Sequence, residues 1–202
     1  MILGIFLREP VPGKVKRRLA LDVGPDLACR IYVKCIRATL KLAEKSGLPL
    51  HIYITPPGAA GRIKKRFRIA APVKPQRGRN LGERMRNAFE TMFMSDSTAA
   101  LIGSDSPTLP PRFIARAKAA LRTHDLVLGP AEDGGYYLIG LSRSGFQTGR
   151  RLFSRIAWGR PNVFQSTLER ARISRLRVFT LPAWYDVDTF ENFTRVKSLL
   201  TG

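Results

Sequence analysis

The chain opens on an unbroken apolar run, MILGIFL, that stops at Arg8. A continuous run of this length suits a strand buried on both faces, whereas a half-exposed strand would alternate. Apolar residues then recur at helical spacing from about Pro25 to Lys45, and Gly47 closes that helix. The apolar stretch LPLHIYIT reads as the next strand, ended by Pro56 and Pro57, with a short basic helix over Ala60 to Phe67. In NLGERMRNAFETMF, Leu81, Met85, Ala88, Phe89 and Met92 fall on one helical face. TAALIG is a strand, and PPRFIARAKAALRT is a helix with proline at its start. DLVLGP and YYLIGL are two further strands, followed by a helix in NVFQSTLERARI, a strand in LRVFTLP and a closing helix in FENFTRVKSLL.

Strands alternating with helices predict an α/β fold, a single-domain α/β/α sandwich over residues 1–202 with a mostly parallel central sheet. In such sheets ligands gather beyond the carboxyl ends of the strands. The segments that follow the strands are REPVPGKVKRRLA, SDSPTLPP, PAEDGG and AWYDVDT. One is basic and three are acidic, and the topology is expected to bring them to one edge.

Composition sharpens this picture in one respect. Lys and Arg number 35 against 15 Asp and Glu, a formal charge of +20, which points to polyanionic partners. The basic residues are dispersed, and pairs such as Arg116 and Lys118 or Arg170 and Arg172 suit outer helix faces, so a solvated surface is an equal reading. Cys29 and Cys35 lie six apart in a helical stretch, a spacing that matches neither a redox pair nor a zinc site. Both are expected in the core, and His51 and His124, beside strands, are expected to be structural. The opening apolar run is too short for a membrane span and lacks a basic start or cleavage site, so a cytoplasmic protein is expected.

Each strand-end segment has a chemical reading. In PVPGKVKRRLA, Pro10, Pro12 and Gly13 shape a tight loop, with Lys14, Lys16, Arg17 and Arg18 at its exit. A glycine loop leading into a helix offers N–H groups to phosphate, and the cations add charge. The spacing is neither a Walker loop nor a dinucleotide fingerprint. In IGSDSPTLP, Asp105 directly follows a strand and can project a carboxylate toward Mg2+ or Mn2+, or else cap the next helix. Asp186 and Asp188, two apart in YDVDT, would point the same way from an extended segment and could share that cation, although Asp188 or Thr189 could instead cap the last helix. In GPAEDGGYYLIGL, Gly134 and Gly135 would let a substrate approach the backbone, and Glu132 or Asp133 could take a proton from an attacking hydroxyl. The same residues are good hairpin-turn chemistry.

Together, FLREPVPGKVKRRLA, NLGERMRNAF, IGSDSPTLP, GPAEDGGYYLIGL, LFSRIAWG and DVDTFENF resemble, in order and over nearly the whole chain, a bacterial glycosyltransferase-type family. Its members are also described as nucleotide-diphospho-sugar transferase-like, and are related to molybdenum-cofactor and 2-phospholactate nucleotidyltransferases. The resemblance implies the GT-A type fold. It places nucleotide phosphates on Pro12, Gly13, Lys14 and Lys16, with Arg17 beside them, and a divalent cation on Asp105 with Asp188 and, second, Asp186. Leu81, Gly82 and Arg84 are implied at the base or ribose. The acceptor side falls to Glu132, Asp133, Gly134, Gly135 and Tyr136, and Trp158 could stack on a sugar or base. Three positions depart from the family pattern: Arg17 and Arg160 stand where threonine is usual, and Arg79 with Asn80 replace Gly-Asp. Each change makes the site more positive and implies a more anionic substrate.

The leading expectation is a metal-dependent glycosyltransferase using a nucleotide-sugar donor. The alternative on the same fold is a nucleotidyltransferase that couples a nucleoside triphosphate to a phosphorylated small molecule. The first loop lacks the longer glycine-rich pattern usual for that chemistry. A basic nucleic-acid-binding or non-catalytic protein on the same fold is the third reading, but no recognised nucleic-acid module accompanies the charge.

Overall fold

In the computed structural model, residues 1–201 are described, with side chains through Lys197; Gly202, the last residue of the expected domain, lies outside the described residues. The strands are β1 (Ile2–Arg8), β2 (Leu50–Thr55), β3 (Val73–Pro75), β4 (Thr98–Ile102), β5 (Leu126–Pro130), β6 (Tyr136–Ser142) and β7 (Val178–Thr180). The helices are α1 (Arg17–Val23), α2 (Pro25–Lys45), α3 (Ala60–Phe67), α4 (Leu81–Met92), α5 (Pro111–Ala120), α6 (Arg143–Thr148), α7 (Val163–Ile173) and α8 (Phe190–Thr201).

The strands form one sheet in the order β3-β2-β1-β4-β6-β5-β7. Every pairing is parallel except those of β6, which runs antiparallel to both β4 and β5. β6 reverses because a five-residue turn joins it to β5 as a hairpin, with a register shift at Gly129/Pro130. The carboxyl ends of β1, β4, β5 and β7 therefore share one edge, and β6 begins there with Tyr136.

Helices cover both faces. Leu3, Ile5 and Leu7 of β1 pack with Ile31, Cys35 and Ile36 of α2 and with Phe113 and Ile114 of α5 in one buried cluster. Ile2 and Leu101 face the other way, onto Met85, Phe89 and Met92 of α4. Alternate residues of one strand thus feed two cores, which explains why the strands read as continuous apolar runs. Gly4 is required at this contact: a Cβ there would overlap Leu101 Cδ2 and come within 3.0 Å of Met92 Sδ. Both cysteines are buried.

Three elements depart from the sequence expectation. The segment read as a loop through Ala20 contains α1, which buries a single residue, Leu19, and so leaves no apolar periodicity to detect. β3 is a three-residue edge strand ending in Pro75, and α6 is a six-residue helix capped by the Ser142 hydroxyl, which accepts from the Gly145 amide. Neither is long enough to show a period. Among the described residues, no helix is long and apolar enough to cross a membrane.

Candidate active site

The four strand-end loops are stitched together by main-chain hydrogen bonds. The Val187 amide donates to the Asp105 carbonyl at 2.8 Å, joining the loop after β4 to the loop after β7. Trp184 and Glu132 bind the two loops on either side: the Trp184 amide donates to Pro130 O, and the Glu132 amide donates to Trp184 O, both at 3.0 Å. Val187 is buried. Its neighbours Asp186 and Asp188 are thereby turned away from the core and toward Asp105, as expected of alternate positions in an extended segment.

Lys16 is the centre of the site. It precedes α1 in the left-handed region at φ 46° and ψ 46°, a conformation that costs a non-glycine residue about 1–2 kcal/mol. From there its ammonium reaches Asp105 Oδ1 and, at 2.8 Å, Asp188 Oδ1. The Lys16 side chain is 2% exposed, whereas those of Asp105 and Asp188 are 43% and 38% exposed. Burial alone would push the ammonium down, but the charges of Asp105 and Asp188 outweigh it and hold the pKa above its ordinary value. Asp186 is different: burial and the neighbouring Asp105 charge push its carboxyl up to about 7, although the Ser106 hydroxyl donates to it. Tyr32 of α2 supports the cluster, its hydroxyl accepting from the Arg8 amide at 3.0 Å and lying 2.9 Å from Ser104 Oγ. Burial and the Asp105 charge raise that phenol to about 12, so it stays neutral.

Three adjoining cavities open at this edge. A basic one of about 330 Å3 is lined by Arg8, Lys14, Lys16, Arg17, Arg18 and the carboxylates Asp105 and Asp188. It shares Arg8, Tyr32 and Asp105 with a cavity of about 360 Å3, walled by Phe6, Leu81, Met85 and Ile139, with Gln76 and Arg84 at its polar side. The third, about 290 Å3, is lined by Arg18, Asp133, Trp158, Arg160 and Asp186, and shares Leu81 and Tyr136 with the second. The three form one lobed cleft: basic, apolar, and mixed.

Most of the expected site residues meet here, but several occupy places the sequence did not indicate. Lys16 belongs to the basic lobe yet is committed to the two carboxylates. Asp105 does not cap α5, whose N-cap is Pro110 without a side-chain bond, and Thr189 Oγ1 is what accepts from the Asn192 amide at the start of α8. Asp133 lines the mixed lobe, where its Oδ1 accepts from the Gly135 amide at 2.9 Å. Glu132 instead faces Arg195 of α8 at 3.3 Å. Gly134 was expected to admit a substrate, but the chain itself makes the approach. At φ +85°, a Cβ on residue 134 would overlap the Pro161 carbonyl oxygen and lie 2.5 Å from its carbon. Gly82, expected at the base or ribose, is buried under Trp158, with Cζ2 of the indole 2.6 Å from where a Cβ would sit. Pro12 and Gly13 form the exposed outer turn of the basic loop. Of the chain's departures from the family pattern, Arg17 and Arg160 line the cleft, Arg79 pairs with Glu83, and Asn80 caps α4 by accepting from the Glu83 amide.

Arg8, Tyr32, Ser104 and Ser106 were not singled out from sequence as ligand residues. Ser106 lies beside Asp105, so proximity could have found it. Tyr32 lies within a helix whose apolar face gives no hint that its hydroxyl reaches the site.

The carboxylates offer the hard oxygen donors that Mg2+ or Mn2+ takes. Among the described residues, no three His, Cys, Asp or Glu side chains are arranged to hold an ion by themselves. Asp105 and Asp188 keep accessible oxygens toward the basic lobe, so the donor set fits a cation that also draws ligands from a bound phosphate. A divalent ion and the Lys16 ammonium, however, address the same two side chains.

The seven-stranded sheet and its flanking helices have the fold of nucleotide-diphospho-sugar transferases and nucleotidyltransferases. The chain belongs to the family described as "Uncharacterized protein conserved in bacteria (DUF2064)", whose model matches residues 39–160. No curated protein matches it. Among solved structures, it is similar to a provisionally assigned nucleotide-diphospho-sugar transferase from Desulfovibrio desulfuricans G20. The two share 32% identity at a TM-score of 0.88, over 99% of this chain and 96% of the other. Two more distant structures share the fold. Rv0371c of Mycobacterium tuberculosis H37Rv, solved in complex with manganese, is 17% identical with a TM-score of 0.60, over 96% of this chain and 97% of that one. CMP:2-keto-3-deoxy-manno-octonic acid synthetase, solved with CTP, is 14% identical with a TM-score of 0.59, over 99% and 98%.

Proposed function

We propose that this protein is a metal-dependent glycosyltransferase that takes a nucleotide-sugar donor. The observation that supports this most is the lobed cleft, in which a basic lobe, an apolar lobe and a carboxylate-bearing lobe adjoin at one sheet edge. In this reading, Arg8, Lys14, Arg17 and Arg18 bind the donor diphosphate, and Arg17 and Arg18 offer bidentate guanidinium contacts. Leu81, Met85 and Arg84 hold the base or ribose in the apolar lobe. Trp158 presents its ring beside the transferred sugar.

Asp105 and Asp188, with Asp186 behind them, would hold Mg2+ or Mn2+; Rv0371c, which shares the fold, was solved in complex with manganese. When bound, the cation supplies neutralisation of the charge that builds on the departing diphosphate. Asp133 acts on the acceptor. Its Oδ1 is anchored by the Gly135 amide, which leaves Oδ2 to take the proton of an acceptor hydroxyl. The acceptor oxygen then bonds to the anomeric carbon, the bond from that carbon to the diphosphate breaks, and nucleoside diphosphate leaves onto the basic lobe. A neutral or cationic hydroxyl-bearing acceptor fits the acidic side of the mixed lobe.

A second reading is favoured by the fold relatives, one of which binds CTP. On that reading, a nucleoside triphosphate is coupled to a phosphorylated small molecule and pyrophosphate leaves. The two readings separate by product. Incubated with Mn2+ and panels of nucleotide sugars and triphosphates, the protein is expected to release nucleoside diphosphate from one sugar nucleotide. Pyrophosphate from a triphosphate would establish the second reading in its place, and release of neither would remove both.

A further inference from the structure

Lys16 presents a physical contradiction. In a basic loop beside a cavity lined by cations, its ammonium is the charge expected to meet a ligand, yet it is nearly inaccessible and shared between Asp105 and Asp188. Four other cations line the same lobe: Arg8, Lys14, Arg17 and Arg18. Among the described residues, Arg17 and Arg18 form no ion pair, so Lys16 alone is spent on the carboxylates.

We propose that Lys16 is a tethered counter-cation. It neutralises the carboxylates of the metal site while no divalent ion is bound, and it must leave them when one binds. The inference rests on the metal-dependent reading above, and it concerns the order in which that site fills.

Charge makes the exchange reciprocal. Asp105 and Asp188 bring two negative charges, and the ammonium cancels one. A divalent ion cancels both, but it releases the ammonium into a lobe already crowded with cations. Metal alone therefore gains a pair of ligands at the cost of placing one more positive charge among Arg8, Lys14, Arg17 and Arg18. A phosphate in the same lobe removes that obstacle, because it gives the freed ammonium a partner. Metal and phosphate each favour the state in which Lys16 has left, and each must then strengthen the other's binding by the same factor.

The move is a local one. Lys16 holds its left-handed conformation without glycine's freedom, supported by the two ion pairs. Val15 and Leu19, on either side of it in the chain, are buried in the core and hold the segment in place, so the move falls to the Lys16 side chain alone.

Removing the lysine should improve metal binding, an effect opposite in sign to that of deleting a ligand. Mn2+ alone is titrated into wild type, Lys16→Met and Lys16→Gln, with free Mn2+ read by electron paramagnetic resonance. Both variants are expected to bind Mn2+ at least tenfold more tightly than wild type, and adding Asp105→Asn to Lys16→Met should abolish the gain. A measurement on wild type needs no variant to fold: saturating Mn2+ should raise covalent labelling of Lys16 by an amine reagent severalfold, followed by peptide mass spectrometry. Equal Mn2+ affinity in wild type and the folded variants, or labelling of Lys16 unchanged by bound Mn2+, would overturn the proposal while leaving a metal site in place. If Mn2+ binds neither variant, and Mn2+ with inorganic pyrophosphate leaves the melting temperature of wild type unmoved, the metal-dependent reading falls and the counter-cation with it.

Discussion

Replacing Gly134 by alanine isolates the contact that fixes the mixed lobe. Residue 134 sits at φ +85°, where a Cβ meets the Pro161 carbonyl oxygen, its carbon at 2.5 Å and its Cα at 2.8 Å. All three atoms are main chain, so no rotamer change relieves the overlap. The Phe164 amide also donates to Gly134 O at 2.9 Å, and any shift that separates the two segments weakens this bond. The left-handed conformation costs alanine about 1–2 kcal/mol, and the hydrogen bond contributes roughly 1 kcal/mol. The expected loss is therefore about 2–3 kcal/mol, on the order of 5–10 °C in melting temperature for a chain of this size. Gly13→Ala is the matched control. It has nearly the same φ, +75°, but open space around the Cβ, so it incurs only the conformational part. Urea unfolding of both variants, followed by tryptophan fluorescence in a Trp184→Phe background, leaves Trp158 as the sole indole reporter. Gly134→Ala should lose at least about 1 kcal/mol more than Gly13→Ala, and its folded-state Trp158 emission should shift red as the 159–163 segment moves. Equal losses in the two variants would refute the claim that the turn is locked by Pro161.

Other consequences follow from the same geometry. Gly82→Ala gains helix propensity worth about 1 kcal/mol, but a Cβ would sit 2.6 Å from Trp158 Cζ2 and 2.8 Å from Phe153 O. A net loss of about 1–3 kcal/mol is expected, and a stabilised variant would contradict the packing. Asp125 accepts from the Arg177 amide, Nε and Nη2 at 3.0, 3.0 and 3.1 Å, and these bonds with Arg177 hold its carboxyl below the usual range. Its contribution is therefore full above the unfolded-state carboxylate pKa and is lost as pH falls through the lower folded value. Asp125→Asn should lower the melting temperature at pH 7, and the gap to wild type should narrow as pH falls below the ordinary carboxylate range; a gap independent of pH would count against the pairing. Restoring threonine at Arg17 and Arg160 together removes two cleft cations. Binding of inorganic pyrophosphate, measured calorimetrically at low salt, should weaken about tenfold, and unchanged binding would disprove the more anionic substrate.

Much of the fold was legible because its strands are buried on both faces and its long helices are amphipathic. The limits of α2 at Pro25 and Lys45, and of α3 at Ala60 and Phe67, fall where proline, glycine and apolar spacing placed them. What escaped was short. α1 buries only Leu19, and β3 spans three residues, so neither leaves a period in the sequence. The convergence of the four strand-end loops was also legible, since it depends on strand direction alone. The partners within that cluster were not. The commitment of Lys16 to Asp105 and Asp188 depends on a left-handed residue that no glycine marks. The glycines are a related case: at 82 and 134 there is a close approach within the chain, and the approaching groups are Trp158 and Pro161. Sequence indicates that space is needed without indicating what fills it.

The most direct test of the account is a thermal-shift panel of nucleoside diphosphates, nucleotide sugars and triphosphates, with and without Mn2+, on wild type and Asp105→Asn. A ligand that binds only the folded state, present at about a hundred times its Kd, stabilises it by about 2.7 kcal/mol. One nucleotide family should raise the melting temperature of wild type by several degrees only when Mn2+ is present, and should leave Asp105→Asn unmoved. If no nucleotide produces a shift that depends on both Mn2+ and Asp105, the cleft does not serve metal-assisted transfer and the central claim is wrong.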